Sequence, residues 1–385
     1  MSNKAKIFLL SIMSFLVGMS QFIIAGVLDQ IALSLNISIA SAGQLMSVYA
    51  LSSAIGTPLL LMLMAKIDLR NQMIFALIVF IIGIFTLLVF DNYFFIVISR
   101  MVVGVGAGVF VVTAYAISAR LAIAGQQGRA MASVAIGFSI ALVFGVPLGR
   151  IISALFNWEM NFWLIGILSI VCLFVILKEI PKVTNVQSNI TLKEQVTYFT
   201  KPYITTALFA TLFFFVSFGM INTYITPFIF SIDTVSEKEM SVILCVLGIA
   251  SFIGSKLAGS LSDKLGASKT LYSSMCVHFS AMMLLFFATH SILLSTFLLF
   301  IWMSASWTFG PSQSINLASI APKASAMILG FNSSFVQLGF AVGGGIGGIT
   351  ITHFPIIALC GVGSVSVIVA FCFLRLSQKY LKTAT

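Results

Sequence analysis

Long apolar runs broken by short polar turns repeat along the whole chain. Twelve of them approach or exceed the ~20 helical residues needed to cross a bilayer. They fall near residues 7–29, 42–65, 71–90, 94–119, 130–154, 160–178, 203–229, 240–262, 270–289, 292–317, 326–350 and 355–375. The longest polar stretch between runs, Glu179 to Lys201, lies close to the middle. It divides the chain into six spans over 1–178, a cytoplasmic linker over 179–202 and six spans over 203–385. Thr191-Leu192-Lys193-Glu194 in the linker has a capping-box pattern and predicts a short surface helix. The fold class is all-α integral membrane, with twelve transmembrane helices in two six-helix bundles.

Composition fits this reading. Of 385 residues, 60% are hydrophobic and only 8% charged, and the mean hydropathy is +1.14. A soluble protein of this length has no way to hide so much apolar surface. The net charge of +10 would suit a nucleic-acid binder, but its distribution argues otherwise. With a cytoplasmic N-terminus, seventeen of the twenty Lys and Arg residues fall on the inner side, and Lys238 alone lies in an outer loop. That is the bias that orients membrane proteins, so both termini are expected in the cytoplasm. Lys4 and Lys6 precede an apolar run from Ile7 to Leu28, too long for the core of a signal peptide and read as a retained first helix. Five cysteines lie in separate apolar runs without a C-x-x-C pair and read as packing or lipid-facing residues. No metal or cofactor is expected.

The halves echo each other. Gly137-Phe138 opens a Gly-rich fifth span, and Gly330-Phe331 a Gly-rich eleventh. The turn Ala65-Lys66-Ile67-Asp68-Leu69-Arg70 after span 2 corresponds to Asp263-Lys264-Leu265-Gly266-Ala267-Ser268-Lys269 after span 8. Both pairs lie about half the chain apart. Two six-helix bundles in parallel repeat predict a substrate site between them near the midplane.

At these residues the chain resembles the major facilitator superfamily over nearly its whole length. Gly259 with Asp263, Lys264 and Gly266 is similar to the family's cytoplasmic gating motif; the first copy, with Asp68 and Arg70, is degraded, since Ala65 occupies the usual aspartate position and Asp68 the glycine position. Arg100 with Gly104, Gly106 and Gly108 resembles the span-4 motif of drug–proton antiporters. Gly137, Gly145, Pro147 and Gly149 resemble their span-5 antiporter motif, which within the superfamily marks exporters. Residues 37–45, 57–61, 65–67, 307–311 and 343–348 look like those of bacterial purine base and ribonucleoside efflux pumps, a branch shared with arabinose-type efflux permeases. The chain departs from such relatives at Gln21, where many have glutamate, and at Asp29, where many have proline.

The candidate chemistry centres on few groups. Arg100 lies inside span 4, where a charge costs at least ~2.5–3.5 kcal/mol without a partner or water. Of ten acids only Asp29 looks membrane-associated, and a pair of Asp29 with Arg100 is the expected proton-linked switch, similar to antiporters whose span-1 acid meets the span-4 arginine. Arg150 is the rival partner for Asp29, and Glu159 the expected partner of Arg150. His278 reads as a packing histidine. Asp263 is expected to latch the cytoplasmic face, and the span-5 glycines to seal one bundle against the other.

Polar and aromatic residues within spans outline an expected substrate pocket: Gln21 and Tyr115 from the first half, Asn222 and Tyr224 from span 7, Trp302, Trp307 and Gln313 from span 10, and Asn332 and Gln337 from span 11. Amides read a heterocycle's edge and rings stack on its face. No span carries a nucleophile–base pair, so an embedded enzyme is disfavoured. The expectation is a monomeric, proton-coupled exporter in a bacterial cytoplasmic membrane, with purine bases or nucleosides as substrate and drugs or sugars as the alternative.

Overall fold

The computed structural model describes residues 1–90, 92–123, 126–182, 198–287 and 291–384, and all secondary structure assigned among them is helical. Asp91, His290 and the capping-box residues Thr191 to Glu194 lie outside the described residues. Among the described residues, twelve helices are long and apolar enough to span a membrane. Those of the first half are Asn3–Gly26 (span 1), Ile39–Leu63 (span 2), Leu69–Val89 (span 3), Tyr93–Leu121 (span 4), Gln127–Leu155 (span 5) and Glu159–Glu179 (span 6). Those of the second are Pro202–Thr223 (span 7), Glu237–Leu265 (span 8), Ala267–Phe287 (span 9), Ile292–Ile320 (span 10), Met327–His353 (span 11) and Ala358–Thr383 (span 12).

Polar side chains at the turns set several boundaries. Ser38, Asp68, Asn92 and Ser291 cap spans 2, 3, 4 and 10, each accepting a backbone N–H from the following turn. Span 8 ends at Gly266, whose φ of +85° lets its N–H return to the Ser262 carbonyl at 3.0 Å.

Three runs are built differently from their apolar pattern. The run expected over 7–29 stops as a helix at Gly26; Val27 leaves the helical conformation, and a short helix, Leu28–Ser34, follows. Span 7 does the same at Tyr224, before a short helix at Ile225–Ile232. Span 5 contains one turn of π-helix, Ala141–Gly145. Pro147 has no N–H and its ring crowds the carbonyl four residues back, so the ladder slips and the Val146 N–H reaches the Ala141 carbonyl.

The chain divides into two compact units, Met1–Gln187 with Glu237–Cys245, and Ser188–Ser236 with Val246–Thr385. The opening turns of span 8 therefore group with the first unit, whereas a boundary in the linker would give all of span 8 to the second. Spans 1 and 7 are the most buried helices. In the second unit Phe214 stacks on Phe309 with centroids 3.8 Å apart, within a core that includes Leu271 and Met275. Large apolar side chains such as Phe8, Leu63, Phe174 and Leu293 are exposed, as lipid-facing positions are.

The glycines of span 5 pack against span 1 of their own unit. A Cβ on Gly137 would strike the Ser11 carbonyl, one on Gly145 would lie 3.3 Å from Met19 Cγ, and one on Gly149 would strike Ile23 Cδ1. The contacts advance by the same steps on both helices, so the spans run parallel in register. Missing side chains let the helices approach closely.

Candidate functional site

The break in span 1 and the bend in span 5 meet at Arg150. This residue follows Gly149, so it reaches the end of span 1 directly. Its guanidinium is 0% exposed. Nη1 donates to the Gly26 carbonyl at 3.1 Å, an acceptor at the point where span 1 ends. Nη1 and Nη2 grip the Asp29 carboxylate at 2.5 and 2.9 Å. Nε and Nη2 grip Glu237 at 2.6 and 2.8 Å. All five N–H donors of the arginine are used. One buried cation thus faces two carboxylates, with Asp29 23% and Glu237 49% exposed.

Neighbouring groups hold the cluster in place. Asn161 of span 6 donates to the Gly149 carbonyl at 3.2 Å and to Ser153 Oγ at 2.7 Å. Trp158 donates from Nε1 to Ser34 Oγ at 2.7 Å and so pins the short helix that carries Asp29. Glu159 begins span 6, half-buried.

The expected pair of Asp29 with Arg100 is not formed; Arg150 takes Asp29 instead. The reason is depth. Arg100 reaches Ser20 Oγ at 3.5 Å, six residues before the end of span 1, whereas Asp29 lies beyond the break at Val27, in the short helix that follows. Arg100 is 0% exposed, with the Tyr49 ring 4.6 Å from its guanidinium carbon. Its Nε and Nη2 have no hydrogen-bond partner among the described residues.

The expected pocket residues divide by what they do. Gln313 donates to the Ala207 carbonyl at 2.7 Å and to Thr211 Oγ1 at 3.1 Å, and Thr211 donates to Asn332 Oδ1 at 2.8 Å. Tyr224 donates to the Gly344 carbonyl at 2.9 Å. Trp302 donates to His278 Nε2 at 3.2 Å and stacks on Phe218. These residues join helices within the second unit. Asn222 is buried with Nδ2 unpartnered among the described residues. Tyr115, Trp307 and Gln337 are half-buried and Gln21 is buried.

His278 is fully hydrogen-bonded. Because Trp302 donates to Nε2, Nδ1 carries the proton and donates to Ser306 Oγ at 2.9 Å; Ser306 donates in turn to the Trp302 carbonyl at 2.7 Å. Ser217 Oγ lies 3.0 Å from Nε2.

The gating-motif residues have local duties. Asp68 caps span 3 through the Asn71 N–H at 3.1 Å, and Arg70 donates to the Leu177 carbonyl. Gln72, which the motif reading passed over, holds the same turn through the Met64 and Ile67 carbonyls at 2.8 and 2.9 Å. Asp263 lies in the last turn of span 8, exposed like Lys264, and accepts no hydrogen bond among the described residues. Gly259 has open space where a Cβ would stand.

Sequence reasoning missed Glu237, Ser20 and Tyr49. Glu237 was legible in principle, since it lies three residues before the predicted start of span 8 and a helix of that length readily extends by a turn.

Comparison with known proteins agrees with this architecture. The sequence profile described as Major Facilitator Superfamily matches residues 10–314 and 207–385. A Bacillus subtilis (strain 168) protein described as the uncharacterized MFS-type transporter YbcL is 38% identical over 370 residues, covering 96% of this chain and 95% of its own. Among solved structures, the nucleoside transporter NupG superposes with a TM-score of 0.76 at 15% identity, over 98% of this chain and 99% of that one. A D-xylose–proton symporter superposes with a TM-score of 0.77 at 16% identity, over 98% of each chain. At such identities the two structures speak for the fold.

Proposed function

This chain belongs to the major facilitator superfamily as a multi-pass membrane transporter, and from that premise we propose that it is a proton-coupled exporter of purine bases or nucleosides. The observation that carries the coupling is the sharing of Arg150 by Asp29 and Glu237. Two carboxylates on one guanidinium leave surplus negative charge beside water. A carboxylate that takes up a proton gives up its ion pair, so proton uptake loosens the cluster and biases the protein toward its other conformation. Differential stabilisation of two states is what coupling requires. Arg150 on span 5 thus holds Asp29 of the short helix after span 1 and Glu237 of the first turn of span 8.

Export as the direction rests on the span-5 glycines and Pro147. The substrate rests on the segments similar to purine efflux pumps. The nucleoside transporter among the structural neighbours is compatible with it. The protein works as a monomer in a bacterial cytoplasmic membrane, both termini inside, with substrate, proton and lipid as its partners. Everted vesicles energised to an acidic interior test this reading. Hypoxanthine or inosine should accumulate inside and leave when the pH gradient is collapsed. Accumulation of antibiotics or sugars in their place would overturn the substrate, and gradient-independent movement would overturn the coupling.

A further inference from the structure

Two arginines lie buried in the first unit, and they differ in what their donors hold. In Arg150 the Nε and Nη2 edge grips the two oxygens of Glu237 at 2.6 and 2.8 Å. In Arg100 the same edge, Nε with Nη2, has no acceptor among the described residues. The rest of the Arg100 guanidinium is engaged: the Tyr49 ring covers a face at 4.6 Å, and Nη1 points to Ser20 Oγ at 3.5 Å. The packing therefore fixes the plane of the group and leaves one edge of parallel donors unsatisfied. A buried charge without hydrogen bonds is costly, and a fork of this kind matches a planar group presenting two acceptors side by side.

We propose that the Nε–Nη2 edge of Arg100 is a ligand-binding fork for a planar two-acceptor group on the transported molecule. Two chemical forms carry that pattern. One is a carboxylate. The other is the carbonyl oxygen and adjacent ring nitrogen of a 6-oxopurine, the edge that arginine grips in guanine. The inference deepens the transport reading by naming what the substrate must carry, and it assigns Arg100 to recognition rather than to the proton. In the conformation described, the fork is closed off from solvent, and ligand entry in the cycle satisfies its donors. Tyr49 orients the fork; its contribution is to the plane of the guanidinium, not to the ligand's edge.

The test is equilibrium binding to the purified full chain in nanodiscs at a single pH, with no gradient. The probes are hypoxanthine, which carries the oxygen–nitrogen edge, 7-deazahypoxanthine, which lacks the nitrogen acceptor, benzoate, and benzamide, which has one acceptor. The fork predicts saturable binding of hypoxanthine or benzoate, at least tenfold weaker binding of the matching probe that lacks the second acceptor, and at least tenfold weaker binding to Arg100→Lys. Lysine keeps the charge without the fork. The probe pairs need only the native protein, so the result stands even if the variant fails to fold. Benzoate binding alone, with the same discrimination, keeps the fork and removes the purine reading. Hypoxanthine bound equally by native protein, by Arg100→Lys and in its deaza form keeps the purine reading and removes the fork. Binding of neither hypoxanthine nor benzoate also overturns the fork.

Discussion

Asp29 binds Arg150 through both carboxylate oxygens, at 2.5 and 2.9 Å, while Arg100 donates to a serine hydroxyl, Ser20 Oγ, at 3.5 Å. The two buried arginines of the first unit thus have opposite situations. One shares its charge with two acids. The other holds an aromatic ring and a hydroxyl. The first is the proposed seat of proton coupling and the second of substrate recognition.

Replacing Arg150 with methionine should leave Asp29 and Glu237 facing each other without a cation. The expected loss is about 2 kcal/mol of stability, below the ~3–5 kcal/mol for a wholly buried pair because both acids reach water. Thermal unfolding in detergent measures it. Arg150→Lys should recover only part of the loss, since an ammonium has three donors where the guanidinium uses five. Full recovery by lysine would show that geometry is immaterial here.

Gly149→Leu should insert into the membrane normally and impair transport severely. The added side chain would strike Ile23 and disturb Asn161, which braces the turn carrying Arg150. Normal transport by a well-expressed variant would detach the span 1–span 5 contact from the mechanism.

Much of the fold was legible in the sequence, because a bilayer demands ~20 apolar residues per span and marks each turn with polar ones. The span-5 motif was legible too, since Pro147 and three glycines announce a bent, closely packed helix. Their facing was not. Small residues permit close approach without saying to whom, and here the partner is span 1. The breaks at Val27 and Tyr224 were hidden because the spans predicted from the sequence continue past both residues. The partner of Asp29 turned on depth along span 1, which an error of three residues at a helix end is enough to obscure. Glu237 was overlooked for the same reason.

His278 is predicted to be structural. Its ring nitrogens are both occupied by hydrogen bonds inside a cluster from spans 7, 9 and 10. His278→Ala should cost about 1–3 kcal/mol by stranding the Trp302 and serine partners. The pH dependence of transport should keep its shape, with only its amplitude reduced. A displaced pH profile would make His278 a proton carrier.

Topology has its own check. In a variant without native cysteines, a cysteine at Ser236 should react with an impermeant maleimide added outside intact cells. Reaction only from the inside would reverse the orientation drawn from the Lys and Arg bias.

The central claim is that Asp29 on Arg150 links transport to the proton. Proteoliposomes containing native protein or Asp29→Asn, loaded with the substrate found in the vesicle screen, test it by comparing transport with and without an imposed pH gradient. Asparagine keeps the shape and part of the hydrogen bonding but cannot exchange a proton. The account predicts that the gradient accelerates transport by the native protein and leaves Asp29→Asn unchanged, while downhill movement survives in both. Equal stimulation of the two by the gradient would contradict it.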